Sequence, residues 1–348
     1  MTKIFITELK QKDIEDVLID WSEPKYRARQ ILDWVYHKPV TGFSALSNIP
    51  PALRERLNSE FVFQSLEPVT EVKSRDGNTT KVLFKLCDGN TVESVLMLYK
   101  KRRTVCVSSQ VGCAFGCLLC ATGASGFERN LTPAEIIDQV LYFSRQLNTK
   151  GQAVTNVVFM GMGEPMVNFE AVWQAIESLT DPLLMGLGAR HITISTSGIA
   201  PGIRKLSKKN LQVGLAVSLH APNDKLRDEL VPPNKMYPLE ALISACRDYI
   251  KATNRRISFE YAIIRDVNDS VQIAVELGNL LRGLNCFVNI IPVNPSAHTN
   301  FIPPPKAKIQ YFSEMLARYH VANTVRMRRG TDIDAGCGQL RSRLENNL

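Results

Sequence analysis

Three of the eight cysteines in this chain of 348 residues fall within one short stretch, Cys113, Cys117 and Cys120. Their spacing lets a single loop wrap three thiolates around a cube of iron and sulfide, whose fourth iron then has no protein ligand. An iron left open in this way binds a cofactor or a substrate. One alternative is a structural zinc site, which wants four closed ligands and often paired Cys-x-x-Cys units. Another is a set of cysteines that merely pack in a core. In a reducing compartment such crowding argues for metal or catalysis over disulfide staples.

Two further thiols stand apart from this loop. Cys106 lies between Val105 and Val107, where a packing cysteine would be unremarkable, and Cys337 sits in the glycine-rich stretch Ala335-Gly336-Cys337-Gly338. From the residues alone, a reactive role and a bland one both stay open for each. Glu93 reads as a solvated strand residue and His220 as a satisfied structural histidine. Gly161-Met162-Gly163-Glu164 follows the apolar run Val157-Val158-Phe159-Met160, and glycines there let backbone approach a ligand closely. Cys87, Cys246 and Cys286 belong to no motif and read as core residues.

The elements that must position these groups show in the periodicity. After Arg103, short β-rich runs near 104–109, 156–160, 191–196, 213–219, 257–263 and 286–291 alternate with helical patterns such as 132–147, 169–179, 238–252 and 306–319. This is a series of about six βα units, which implies parallel strands with right-handed crossovers in an open sheet or a barrel. In barrels the chemistry collects at the C-terminal ends of the strands. The unusual residues fall there: the cysteine loop, Gly161 to Pro165, Ser195-Thr196-Ser197-Gly198, Ser218-Leu219-His220 and Pro292-Val293-Asn294-Pro295. They are expected to ring one cavity. Ahead of this unit, residues 1–68 read as a small helical domain with a Pro50-Pro51 break. Residues 69–103 read as a β-hairpin extension turning at Asp88-Gly89-Asn90. The main unit is then 104–348, ending in a tail that carries Cys337.

Composition, at 45% hydrophobic and 22% charged residues, suits a globular chain with a sizeable core. No apolar run approaches the roughly 18 residues that span a bilayer, and the N-terminus lacks a secretion signal, so a cytoplasmic protein free of membrane is expected. A net charge of +8 and a pI near 9.0 suit a polyanionic partner. The basic runs Lys100 to Arg103, Arg204-Lys205 with Lys208-Lys209, Arg255-Arg256 and Arg326 to Arg329 are candidate phosphate contacts, although each alone is an ordinary solvated face.

Cys113-Ala114-Phe115-Gly116-Cys117-Leu118-Leu119-Cys120 resembles the signature loop of the radical S-adenosylmethionine superfamily. Longer stretches are similar to the RlmN family: Cys106 to Gly112, Gly126 to Thr132, Ser218 to Asp224 and Arg328 to Leu340. The resemblance implies a partial (βα)6 TIM-like barrel of α/β class, with a helical N-terminal domain. It implies a [4Fe-4S] cluster on Cys113, Cys117 and Cys120, and S-adenosyl-L-methionine bordered by Gly163, Glu164, Ser195, Ser218, Leu219, His220 and Asn294. The activity implied is methylation of carbon 2 of adenosine in 23S rRNA and in some tRNAs, by a monomer that draws electrons from a donor such as flavodoxin or ferredoxin. In that family's route Cys337 carries the methyl group and becomes joined to the RNA, Cys106 resolves the adduct by a transient disulfide, and Glu93 is the general base. Members usually have an aromatic residue before the third cluster cysteine; here it is Leu119, so an aromatic contact with the cofactor's adenine does not carry over. The rival expectations are a Cfr-like enzyme acting on carbon 8 of adenosine, and a non-catalytic iron-sulfur redox sensor that binds RNA.

Overall fold

The computed structural model describes residues 4–294, 300–326 and 328–340. β1 (Ile4–Phe5) pairs in parallel with β2 (Phe61–Val62) and closes the ends of a module built from α1 (Gln11–Asp20), α2 (Arg27–His37) and α3 (Pro51–Glu60). In α2 the apolar positions recur at helical spacing, and Ala28, Ile31, Leu32, Val35 and Tyr36 turn inward. Pro51 occupies the first turn of α3, where its missing N–H would be unpaired in any case, so the Pro50-Pro51 break is the start of a helix. The module packs on the barrel through Asn148, whose Nδ2 donates to the His37 carbonyl at 2.8 Å.

β3 (Leu66–Lys73), β4 (Thr79–Leu86) and β5 (Thr91–Leu98) form an antiparallel meander. The turn at Asp88-Gly89-Asn90 joins β4 to β5 as the alternation indicates. β3 is the outer strand and is exposed along almost its whole length, so no alternation betrays it. The meander continues the main sheet, because β5 pairs antiparallel with β6 (Arg103–Cys106).

The chain then runs through β7 (Gln110–Gly112), α4 (Ala121–Ala124), β8 (Phe127–Asn130), α5 (Pro133–Asn148) and β9 (Asn156–Phe159). It goes on to α6 (Phe169–Thr180), β10 (Ile192–Thr196), α7 (Ala200–Ser207), β11 (Gly214–Ser218), α8 (Asp224–Leu230) and α9 (Leu239–Thr253). The last elements are β12 (Ile257–Ile263), α10 (Val271–Leu281), β13 (Cys286–Pro292), α11 (Lys306–Arg318) and β14 (Asn323–Val325). One sheet carries the order β14-β13-β12-β11-β10-β9-β6-β5-β4-β3, and β6 with β9 to β14 are all parallel. It stays open between β14 and β3, which makes a partial barrel. The βα series is therefore as read, with a seventh strand, β14, that is too short to signal itself. Pro295 and Met327 lie outside the described residues.

Register decides what faces the lumen. Cys106 stands opposite Val95 and Val158, Thr193 opposite Val158, Ala216 opposite Ser195, and Asn289 opposite Glu260. Side chains alternate along strands, so Cys106, Met160, Ser195, Ser218 and Glu260 share one inner face. After β14 the chain crosses the open side. Arg329 donates to the Leu98 carbonyl at 3.2 Å, and Asp332 accepts from the Arg75 amide at 2.8 Å. The tail then docks beside the cysteine loop, where the Ala121 amide donates to the Gly338 carbonyl at 2.7 Å.

Candidate active site

Cys113, Cys117 and Cys120 line one cavity of about 1100 Å³, partly open to solvent, together with Glu164, Ser195, Ser218, His220, Asn294 and Cys337. The loop is clamped by the antiparallel pair β7 and β8. Arg129 on β8 reaches Asp88 in the meander turn and Glu135 on α5, the latter through two nitrogens at 2.8 Å. Glu135 also completes the cap of α5, accepting from the Thr132 amide at 2.9 Å while Thr132 Oγ1 accepts from the Glu135 amide at 3.3 Å. The stretch from Gly126 to Thr132 is thus the fastening of the cysteine loop.

The loop suits a metal cluster. Burial pushes the Cys113 thiol up to about 11, and burial, then repulsion from Cys120 and Cys113, pushes Cys117 up as well. Thiolates crowded in this way need positive charge among them, which iron supplies. Among the described residues no three His, Cys, Asp or Glu side chains converge as ligands of a single ion would. Each cysteine thiolate around a cubane binds a separate iron, so that arrangement asks for no such convergence.

Next to the loop the cavity wall is built for a polar ligand. Gly163 has φ +93°, and a Cβ there would lie 2.4 Å from the Gln110 Cβ, so only glycine lets the second strand's loop close on the first. Glu164 is buried, with Oε2 accepting from the Ser197 amide at 2.7 Å and its hydroxyl at 2.8 Å, and Oε1 accepting from the Met166 amide at 3.0 Å. Burial pushes its carboxyl up despite these bonds. His220 Nδ1 accepts from the Ala262 amide at 2.9 Å, and burial pulls its pKa down to about 3, so the ring is neutral with its proton on Nε2. Asn294 Nδ2 donates to the Cys337 carbonyl at 3.1 Å, while its buried Oδ1 has no partner among the described residues. Leu219 does not line the cavity: its side chain is in the core, and its carbonyl accepts from Arg227 Nε at 3.1 Å.

Cys337 lines this cavity, and Cys106, which does not line it, lies near enough to feel the Cys337 sulfur. Cys106 is buried at the end of β6, and burial, then the nearby Cys337 sulfur, pushes its thiol up to about 12. Cys337 has surface open to the cavity, yet it is ringed by enough protein that burial pushes its thiol up, against the pull of the Arg326 guanidinium. The tail is held over Cys120 by Gly338, at φ +79°, where a Cβ would stand 2.4 Å from the Leu119 carbonyl oxygen. Glu93 is buried, not solvated, and its Oε1 lies 3.0 Å from Lys81 Nζ.

Comparison with known proteins bears on this arrangement. Residues 5–62 match the ribosomal RNA large subunit methyltransferase N-terminal domain, and residues 107–277 match the radical SAM superfamily. A probable dual-specificity RNA methyltransferase RlmN of Desulfitobacterium hafniense is 48% identical, over 99% of this chain and 98% of that one. The ribosomal RNA large subunit methyltransferase N of Nitrosopumilus maritimus is 46% identical, over 98% of this chain and 99% of its own. The chain belongs to the RlmN family. A radical SAM methyltransferase from Sphaerobacter thermophilus superposes with a TM-score of 0.96 at 46% identity, covering 98% of this chain and all of that one. As a member of the RlmN family, the chain carries the fold and the cysteine loop of a radical S-adenosylmethionine protein.

Three residues of this RlmN-type cavity escaped the sequence reading. Arg227 is wholly buried beneath it and donates to the carbonyls of Ser197 at 2.6 Å and Ser218 at 3.1 Å, tying together the ends of β10 and β11. A lone arginine in a charged helix such as Asp224–Leu230 reads as solvated, and no local signal says otherwise. Glu260 and Arg326 line the cavity with 3.5 Å between their charged atoms, so Arg326 is turned inward where its run of basic residues suggested phosphate contact. Glu260 had a signal, being an acidic residue alone in the strand Ile257–Ile263.

Proposed function

We propose that the chain is a radical S-adenosylmethionine methyltransferase acting on carbon 2 of adenosine in 23S rRNA and in tRNA beside the anticodon. The observation that carries this reading is that Cys337 lines one cavity with Cys113, Cys117 and Cys120, while buried Cys106 lies near enough to feel the Cys337 sulfur. Carbon 2 of adenine lies between two ring nitrogens and is electron-poor, so it does not attack an electrophilic methyl group as an amine would. When bound, the [4Fe-4S] cluster and S-adenosylmethionine supply hydrogen-atom abstraction from an unactivated methyl group.

The residues divide the remaining work. Cys113, Cys117 and Cys120 hold the cluster. Gly163, Glu164, Ser195, Ser218, His220 and Asn294 border S-adenosylmethionine, the orphaned Asn294 Oδ1 accepting from it, while Leu219 contributes only backbone. Cys337 carries the methyl carbon to the base and becomes joined to it. Glu93 takes the proton from carbon 2, the Cys106 thiolate bonds to the Cys337 sulfur as the carbon–sulfur bond breaks, and a proton returns to the freed methylene to make the methyl group; the one surplus electron would be taken up by the bound cluster, and the disulfide is left for an external reductant. The target adenosine must leave its stack to reach Cys337, which favours loops and easily extruded bases. In this reading 1–68 is an accessory RNA-facing domain, 69–103 links it to the barrel, and 104–348 is catalytic. The enzyme acts as a cytoplasmic monomer fed by flavodoxin or ferredoxin.

The test is a Cys337→Ala variant. It should lose both the protein-bound methyl group and methylated RNA while keeping the cluster's visible absorbance. Continued turnover by this variant would overturn the reading.

A further inference from the structure

Lys81 contacts Glu93 and also reaches the tail bearing Cys337. Its Nζ lies 3.0 Å from Glu93 Oε1 and 3.4 Å from the Asp334 carbonyl, three residues ahead of Cys337. Register sets it in the lumen: Lys81 stands opposite Val95, which stands opposite Cys106, so the three share the inner face with Glu93. The ammonium is mostly enclosed, at 16% side-chain exposure, and the carboxylate at 5%. Holding a long cationic chain in such a place costs desolvation and rotamer freedom, which only a well-formed contact offsets. The pair is therefore not an ordinary surface bridge. Glu93 is anchored at its backbone as well, since Ser108 Oγ donates to its carbonyl at 2.6 Å. Ser108 fixes the main chain and Lys81 one carboxylate oxygen, which together limit how the carboxylate can turn.

From this geometry we propose that Lys81 is a positioning residue for the methyl transfer. It holds the Glu93 carboxylate aimed at carbon 2 of the base that the methylene joins to Cys337, and its bond to Asp334 sets the distance between base and tail. The inference rests on Glu93 being the base that removes the ring proton. It assigns Lys81 to the last stage, resolution of the RNA–enzyme adduct, and leaves methylation of Cys337 and adduct formation untouched.

The experiment follows a single turnover of reconstituted enzyme on 23S rRNA. Three quantities are measured: methyl on Cys337 by mass spectrometry, covalent RNA–protein adduct on a denaturing gel, and released methylated adenosine. Lys81→Met should load methyl normally and form adduct, then release product on the order of tenfold more slowly, so that adduct accumulates. Lys81→Arg, which retains a cation of similar reach, should restore release to within about threefold. Loss of Cys337 methylation in Lys81→Met, or a raised KM with release unchanged, would overturn the proposal in favour of a tail support or a phosphate contact. Failure of the underlying reading looks different: Glu93→Gln would then release product at the normal rate, whatever Lys81 does.

Discussion

His220 sits at the end of β11 with φ +60°, its Nδ1 accepting from Ala262 and its own carbonyl accepting from Asn268 Nδ2 at 2.9 Å. The first bond fixes the ring in one tautomer and the second fixes the backbone, and burial, with the Arg227 charge adding to it, pulls the pKa from 6.5 to about 3. The folded state therefore binds fewer protons than the unfolded chain once pH drops below about 6.5. Stability from this residue is complete above that value and is lost as pH falls. Asp138 works in the opposite sense: burial raises it from 3.8 to about 6, so its contribution grows as pH falls through about 6. A difference measurement separates the two. Between pH 7 and pH 5, urea unfolding of the wild type should show a loss that exceeds the loss in His220→Gln by about 2 kcal/mol. Equal losses in both would mean that His220 is not held neutral.

Loops at strand ends carry the site, and their conformations are set by close backbone approach. Gly163→Ala should cost about 2 kcal/mol or more in unfolding free energy and weaken S-adenosylmethionine binding, because φ +93° is strained for alanine and the new Cβ meets the Gln110 side chain. A variant with unchanged stability, measured by denaturant titration, would show that this loop has room to spare. Elements of this kind differ in how far they can be read ahead of structure. Central strands such as Ile192–Thr196 and Ile257–Ile263 are legible because their buried positions are filled by β-branched and aromatic residues at strand spacing. The edge strand Leu66–Lys73 and the three-residue strand Asn323–Val325 are not, since one is solvated and the other too short to hold a period. The helix Val271–Leu281 had its signal in the cap of Ser270, whose Oγ accepts from the Ile273 amide at 3.2 Å. Among site residues, the cysteines announce themselves by type and spacing. Arg227 and Lys81 do not, because their roles come from partners elsewhere in the sequence.

On the scale of the whole molecule, the open edge of the barrel and the tail that crosses it form one device. The sheet ends at β14 on one side and at the meander on the other. The chain after β14 spans the gap by way of Leu98, Arg75 and Lys81 before docking on the cysteine loop at Ala121. This route brings Cys337 to Cys106, 231 positions earlier in the sequence, with the cysteine loop beside both. The net charge of +8 favours the approach of a polyanion. The central claim is that this closure directs a methyl carbon from Cys337 to carbon 2 of adenosine. It is tested most directly by incubating reduced, reconstituted enzyme with S-adenosylmethionine and either 23S rRNA or tRNA, then digesting the RNA for nucleoside mass spectrometry. The account requires 2-methyladenosine from 23S rRNA, and 8-methyladenosine alone, or no methylated adenosine, would contradict it.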